Sequence, residues 1–332
     1  MSKDKPIPHE LLRSICVTLL VTGLAAAAPA ATYSQEASSS AAAAPDDEDY
    51  GIFEYEAQDE PPLFDDAGKA IDALKQGLAA NDFDGVAKLL GLDPVKLRTS
   101  EGVMDTFEQI RDAAAKSITL TDTEGGKILQ LGEKLWPFPF PLLKGDDGKW
   151  AFDTQAGLEE IVNRRVGENE LQAIATMREY VEAQNDYASE DRDGDGVEEF
   201  AQKLVSSKGT TDGLYWPSDA GFGESPVGDF VDQAELADAS KGEGYFGYRF
   251  RILTGQGDNV AGGAYDYIIN GNMIAGFGLI AWPVKYAETG VKTMIVNQNG
   301  IVYQADLGPS TGDIVKYIER FNPDDSWEIV ND

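Results

Sequence analysis

The sequence predicts an α+β protein with two domains, the second of them a long helix packed on an antiparallel sheet. The chain has 332 residues, which is enough for two domains that each bury a core. Apolar residues recur at helical spacing near residue 70 and again after residue 170. From Gly244 onward they alternate with polar residues, and turn dipeptides separate the runs. Helices thus precede strands in each half, which indicates two α+β domains.

The first 31 residues have the pattern of a secretory signal peptide. Basic residues precede an apolar run over 15–28, and the sequence Ala-Pro-Ala-Ala follows it. The run is too short and too rich in alanine to favour a transmembrane anchor. We therefore expect cleavage after Ala30 or Ala31, no stable membrane anchor afterwards, and a periplasmic or secreted protein.

Residues 32–64 are predicted to be a disordered acidic linker. They are rich in Ala, Ser, Asp, Glu and Pro, and their apolar residues show no lasting period. The acidic and aromatic cluster DDEDYGIFEYE could dock on a partner, but a solvated linker is the simpler interpretation.

Residues 65–165 form the predicted amino-terminal α+β domain. Two apolar stripes between 67 and 90 predict a helical hairpin, because the polar residues between them can end one helix and cap the next. A helix over 103–115 follows, and then come strand-like runs joined by an Asp147-Gly148 turn. We expect most of the aromatic side chains near this turn to lie in the core.

The second domain, residues 166–332, begins with an amphipathic helix. Leu171, Ile174, Met177 and Val181 recur at steps of three and four residues, so one face of this helix is meant to be buried. An acidic loop interrupts the pattern, and residues 197–207 are predicted to resume it as a second helix.

The strands of the second domain are predicted from Gly244 onward. Tyr248, Phe250 and Ile252 alternate with Arg249 and Arg251, which predicts one buried face and one face that carries charge to water. Further along, an Asn-Gly dipeptide joins two apolar runs, as in a tight hairpin. We expect an antiparallel meander laid against the helix that starts near residue 171.

The acidic loop carries the start of a calcium-binding pattern. Aspartates at three alternate positions followed by Gly196 resemble the DxDxDG run that wraps oxygen ligands around the ion. The twelfth position is glutamine, which cannot chelate with two carboxylate oxygens, so affinity should be weak, roughly 10⁻⁴ to 10⁻³ M. The alternative is a solvated acidic turn. The candidate ligands are Asp191, Asp193, Asp195, Val197, Glu199 and Gln202.

A long loop rich in glycine and aromatic residues follows, over 208–230. Long loops in compact domains are often functional, and Tyr215 and Trp216 could stack on a sugar or a peptide. The alternative is that both rings pack over the edge of the sheet.

Charge and composition exclude several classes of function. The net charge of −31 repels nucleic acid phosphates and anionic lipids, so no nucleic acid partner is expected. His9 and Cys16 are the only histidine and cysteine, and both lie in the predicted signal peptide. After cleavage neither an imidazole nor a thiol would remain, which excludes histidine bases, cysteine nucleophiles and the usual zinc sites.

Two functional hypotheses remain. The first is a non-enzymatic binding or scaffold module, with a cell-envelope protein or glycan as its partner. The second is a cell-envelope hydrolase that uses paired carboxylates, which in a retaining enzyme must lie within about 5 to 5.5 Å of each other. No spacing in the sequence identifies such a pair.

Several segments resemble a known family of exported bacterial proteins, domain of unknown function 2950. They are WPFPFPLLKGDDGKWAFDTQAGLEEIVNRRVGENELQAI, EDRDGDGVEEFAQ, DGLYWP and GGAYDYIINGNMIAGFGLIAWPVKYAETGVKTMIVNQNGIVYQADLG. The resemblance covers nearly the whole chain after the signal peptide. It implies export and a shared fold, and no reaction.

The second domain also resembles another family. Its order of helix, loop and strands, ending in AWPVKYAETGVKTMIVNQNGIV, is similar to the globular head of type II secretion pseudopilins, whose heads can bind calcium in a loop. This makes residues 166–332 a pseudopilin-like α+β domain. The amino-terminal membrane helix of a pseudopilin is missing, so filament assembly is not implied.

Overall fold

The computed structural model describes residues 51–331, except for 101, 193, 229 and 230. The chain divides into two compact units between Ile161 and Val162. Both units contain helices and antiparallel strands, which confirms the predicted α+β class. The predicted signal peptide and the linker up to residue 50 lie outside the described residues.

Three helices of the first unit begin where an aspartate caps them. The carboxylates of Asp66, Asp82 and Asp93 each accept a hydrogen bond of 2.9 Å from a backbone N–H in the first helical turn. The predicted helical hairpin is therefore present. The helices are α1 (Ala67–Ala79), α2 (Phe83–Leu89), α3 (Pro94–Leu97) and α4 (Val103–Lys116), and a 3₁₀ turn, Phe53–Tyr55, precedes them.

A five-stranded antiparallel sheet completes the first unit. Its strands are β1 (Ile118–Thr123), β2 (Gly126–Leu131), β3 (Trp136–Pro137), β4 (Leu142–Lys144) and β5 (Trp150–Phe152). The order is β1-β2-β4-β5, with β3 paired to β2. Phe138, Phe140 and Phe152 are buried and pack ring against ring, as predicted for the core.

The linker prediction is wrong for residues 51–64. Ile52 is buried, and Phe64 exchanges two backbone hydrogen bonds of 2.8 Å with Trp150. These residues belong to the first unit because its sheet and helices offer them backbone partners and apolar contacts, which composition alone does not reveal.

The second unit is built on one long helix, α5 (Thr154–Tyr187), whose first two turns lie in the first unit. Its main sheet is a meander in the order β6-β11-β12-β13-β14. The strands are β6 (Tyr248–Leu253), β7 (Gly255–Gln256), β8 (Tyr265–Asp266), β9 (Ile268–Ile269), β10 (Asn272–Met273), β11 (Gly278–Pro283), β12 (Lys292–Asn297), β13 (Tyr303–Asp306) and β14 (Glu328–Ile329). The remaining helices are α6 (Gln233–Lys241) and α7 (Thr311–Ile314), with 3₁₀ turns at Ser218–Ala220 and Val315–Tyr317.

One face of this sheet packs on α5. The helix contributes Ala173, Met177 and Tyr180 to a buried cluster that also contains Leu279 and Met294 of the sheet. The buried stripe of the helix differs from the predicted one: Leu171, which is predicted to be buried, is 64% exposed. The buried face runs instead through Ala173, Met177, Tyr180, Ala183 and Tyr187.

The other face of the sheet is also covered. Leu253, Ile280 and Ile295 form a second buried cluster with Val315, which lies in the carboxy-terminal segment. The prediction that Arg251 faces water is therefore wrong: its guanidinium donates hydrogen bonds of 2.6 Å to the carbonyl oxygens of Val315 and Ile318.

The predicted second helix over 197–207 is absent. This segment is extended, because Phe200 donates its backbone N–H to the Met273 carbonyl at 2.9 Å and packs its ring on Phe277. Farther on, Val205 pairs with Tyr215. Contacts with distant parts of the chain override the helical spacing.

Across the described part of the chain, none of the helices combines the length and the hydropathy that a membrane span requires.

Candidate functional site

The second unit contains a cavity of about 430 Å³, bounded by α5, α6, strands β6 and β11, and the loop before α6. This volume lies within the range of small-molecule sites, roughly 300 to 1,000 Å³. Its wall is mainly apolar. Prominent members of the wall are Leu204, Leu214, Val227, Val231, Leu236 and Phe250.

Helix α6 forms one side of the cavity and is fixed at both ends. The Asp232 carboxylate caps its start by accepting hydrogen bonds from the backbone of Ala234 and Glu235. Gly242 ends it in the left-handed conformation, with a φ of 95°. Buried Glu235 accepts a further bond of 2.9 Å from the Phe246 N–H, which ties the helix to the start of the sheet.

Most polar groups of the wall already have partners within the protein. The Tyr180 hydroxyl donates to the Gly278 carbonyl at 3.1 Å, and that of Tyr248 donates to the Lys292 carbonyl at 2.9 Å. The hydroxyl of Tyr215 donates to the side-chain oxygen of Gln233 at 3.2 Å. These tyrosines therefore offer mainly their rings to the cavity, which leaves an apolar surface.

Glu179 differs from the other polar groups of the wall. It is half-buried, it is the only carboxylate among the described residues that line the cavity, and within that part of the chain it has no hydrogen bond or ion pair. Burial raises its pKa, and the charge of Glu182 adds to the effect. Burial also raises the pKa of nearby Tyr245 to about 12; the hydrogen bond from the Asp232 N–H opposes this rise, and the charges of Asp232, Glu179 and Glu235 add to it.

The predicted calcium loop is closed by its own hydrogen bonds. Both oxygens of Asp191 accept backbone bonds, from Gly194 at 2.8 Å and from Gly196 at 2.9 Å. Asp195 accepts from the Val197 N–H at 2.8 Å and from the Asn272 amide at 2.7 Å. Asp193, the central candidate ligand, lies outside the described residues.

The side chains at the end of the predicted calcium loop bind another part of the chain. Buried Glu199 accepts a bond of 2.7 Å from the Met273 N–H, and Gln202 donates its amide to the Gly271 carbonyl at 2.7 Å. Both side chains thus hold the β9–β10 hairpin. Over the residues that the structure describes, no three acidic, histidine or cysteine side chains gather as metal ligands would. The calcium site stays a prediction.

Tyr215 and Trp216, the predicted ligand surface, have different environments. Trp216 is 3% exposed, belongs to the core cluster and donates its indole N–H to the Gly223 carbonyl at 3.0 Å. Its ring therefore packs in the interior of the second unit. Tyr215 is half-buried and lines the cavity. Sequence reasoning therefore found one wall residue and missed Glu179, which has no distinguishing local signal.

A family model described as "Protein of unknown function (DUF2950)" matches residues 62–330. The chain belongs to the DUF2950 family. This confirms the family resemblance found in the sequence. We find no match for this DUF2950 chain among curated proteins or among solved structures. The similarity of the second domain to pseudopilin heads, and the predicted two-domain pseudopilin-like arrangement, stay predictions.

Proposed function

We propose that this DUF2950 protein is an exported binding protein that holds a small, mainly apolar ligand in the cavity of its second unit. One observation carries the proposal: a cavity of about 430 Å³ has an apolar wall whose tyrosine hydroxyls are tied to the protein. Burying an apolar molecule there releases about 25 cal/mol for each Å² removed from water, and few polar groups must be desolvated.

The hydrolase alternative is supported less well. Hydrolysis by paired carboxylates needs a second acid within reach of the first. Glu179 is the single carboxylate among the described residues of the wall. The only histidine and cysteine lie in the first 31 residues, which the proposed export would remove. A lone carboxylate in an apolar wall suits recognition of a ligand better than cleavage of one.

A titration with Nile red, a neutral apolar dye, tests the proposal. We expect the purified protein to bind one dye molecule in a saturable manner, with blue-shifted emission as the dye leaves water. Emission that rises without saturation, as on a featureless surface, would contradict the proposal.

We also propose weak calcium binding by the loop over 191–202. Its glycines, with φ values of 81° and 91°, turn the chain so that Asp191 and Asp195 lie in one tight loop. Among the described residues, each oxygen of Asp191 accepts one hydrogen bond and keeps a second lone pair for a cation.

A further inference from the structure

The cavity wall carries one half-buried negative charge without a counter-charge. Glu179 has no hydrogen bond or ion pair among the described residues, whereas the hydroxyls of Thr176, Tyr180, Tyr215 and Tyr248 all have partners. A carboxylate that is withdrawn from water without a partner destabilises the protein. A ligand that supplies the counter-charge would remove this cost on binding.

The neighbours of Glu179 on its own helix do not neutralise it. Glu182, one turn farther on, raises the pKa of Glu179 by repulsion. Tyr245, which lines the same cavity, presents a neutral phenol that accepts the Asp232 N–H at 3.0 Å. These two neighbours of the Glu179 carboxylate are neutral or negative, and they favour a cation.

Arg249 is the other charged residue among those described in the wall. Its side chain is exposed, and one guanidinium nitrogen approaches the Gly242 carbonyl at 3.4 Å. A charge in water gains little from a counter-ion, whereas a half-buried charge gains more. The wall consequently favours an ammonium group at Glu179 over a carboxylate at Arg249.

We propose that the ligand is a cationic amphiphile: an apolar chain that fills the cavity and an ammonium group that pairs with the Glu179 carboxylate. This inference rests on the proposed function and adds the chemical class of the ligand. The net charge of −31 also attracts cations to the whole surface, so the test must separate the cavity from this general field.

Displacement of Nile red by three probes of equal chain length provides the test: decylamine, decanol and decanoate, at a physiological salt concentration and below their micelle-forming concentrations. We expect decylamine to bind roughly fivefold or more tightly than decanol, and decanoate to bind most weakly. In a Glu179→Gln variant the preference for the amine over the alcohol should disappear. A Glu182→Gln variant loses the same charge from an exposed position and should keep the preference.

The outcomes separate this inference from the proposed function. Equal binding of the three probes would overturn the ammonium assignment and leave the apolar cavity intact. An amine preference that persists unchanged in Glu179→Gln would assign the effect to the general negative field and also overturn it. Failure of all probes to displace the dye would contradict the proposed function itself.

Discussion

The side chain of Gln184 pairs with the backbone of Ala201 through two hydrogen bonds. Its oxygen accepts the Ala201 N–H at 2.8 Å, and its nitrogen donates to the Ala201 carbonyl at 2.9 Å. Both residues are fully buried. The Gln184 side chain on α5 thus satisfies the backbone N–H and carbonyl of the extended segment after the acidic loop. In a helix those backbone groups would pair within the helix and would not need this side chain.

A Gln184→Ala variant should be destabilised by about 3 kcal/mol, because it leaves a buried N–H and a buried carbonyl unpaired. The midpoint of urea unfolding, followed by tryptophan fluorescence, measures the loss. Gln172→Ala, on the same helix, removes a half-buried side chain whose amide donates to Glu168, and it should cost less than about 0.5 kcal/mol. Similar losses in the two variants would show that the Gln184 pair contributes little.

Two glycines of α5 should respond oppositely to alanine. A Cβ at Gly157 would lie 2.0 Å from the Phe140 ring, so Gly157→Ala should destabilise the protein by about 1 to 3 kcal/mol. A Cβ at Gly167 meets nothing within 4 Å, so Gly167→Ala should stabilise it by about 0.5 to 1 kcal/mol through helix propensity. Thermal unfolding of both variants checks the signs. A stabilised Gly157→Ala variant would mean that Phe140 does not pack against this helix.

Local signals predicted much of the fold. Apolar stripes located α1 and α2, polar residues between them marked the cap of α2, and the Asn-Gly dipeptide located the turn between β12 and β13. The predicted helix over 197–207 failed because Glu199 binds the backbone of Met273, which lies 74 positions farther along the chain. No short window of sequence contains that partner.

The candidate site was harder to predict for the same reason. Glu179 is flanked by Arg178 and followed by Glu182, so it looks like any residue on a solvated helix face. The loop before α6, α6 itself and strands β6 and β11, all distant in sequence, bring it into an apolar wall. Tyr215 and Trp216 are adjacent, yet one lines the cavity and the other lies in the core, since successive side chains of an extended segment point in opposite directions.

Stability should depend on pH through Glu179. Burial raises its pKa above the ordinary value of 4.5, so the folded state binds this proton more tightly than the unfolded state. The free energy of unfolding therefore loses a contribution as the pH rises from 4.5 through the raised pKa. Glu179→Gln, which cannot ionise, should have a higher melting temperature than the wild type at pH 7.

The advantage of Glu179→Gln should shrink as the pH falls below 4.5, where the wild-type carboxyl is protonated in both states. Glu182→Gln should give a smaller gain, since it relieves only the repulsion. Calorimetric melting at several pH values compares the three proteins. A wild type more stable than Glu179→Gln at pH 7 would reveal a favourable partner for the carboxylate.

The calcium proposal predicts weak binding, with a dissociation constant of about 10⁻³ M. Asp195→Asn keeps the shape of the side chain but removes its charge, and it should abolish the heat of calcium binding in a calorimetric titration. Asp219→Asn, at an exposed position outside the loop, should leave that heat unchanged. Absence of heat from the wild type at calcium concentrations of about 10 mM would refute the site.

The most direct test of the binding role is to fill the cavity from one of its walls. Ala239 lines the cavity, whereas Ala237 is exposed on the same helix and does not line it. We predict that Ala239→Trp weakens Nile red binding at least about tenfold, a loss of about 1.4 kcal/mol, and that Ala237→Trp binds the dye like the wild type. Equal dye affinity in the two variants would contradict the assignment of the ligand to this cavity.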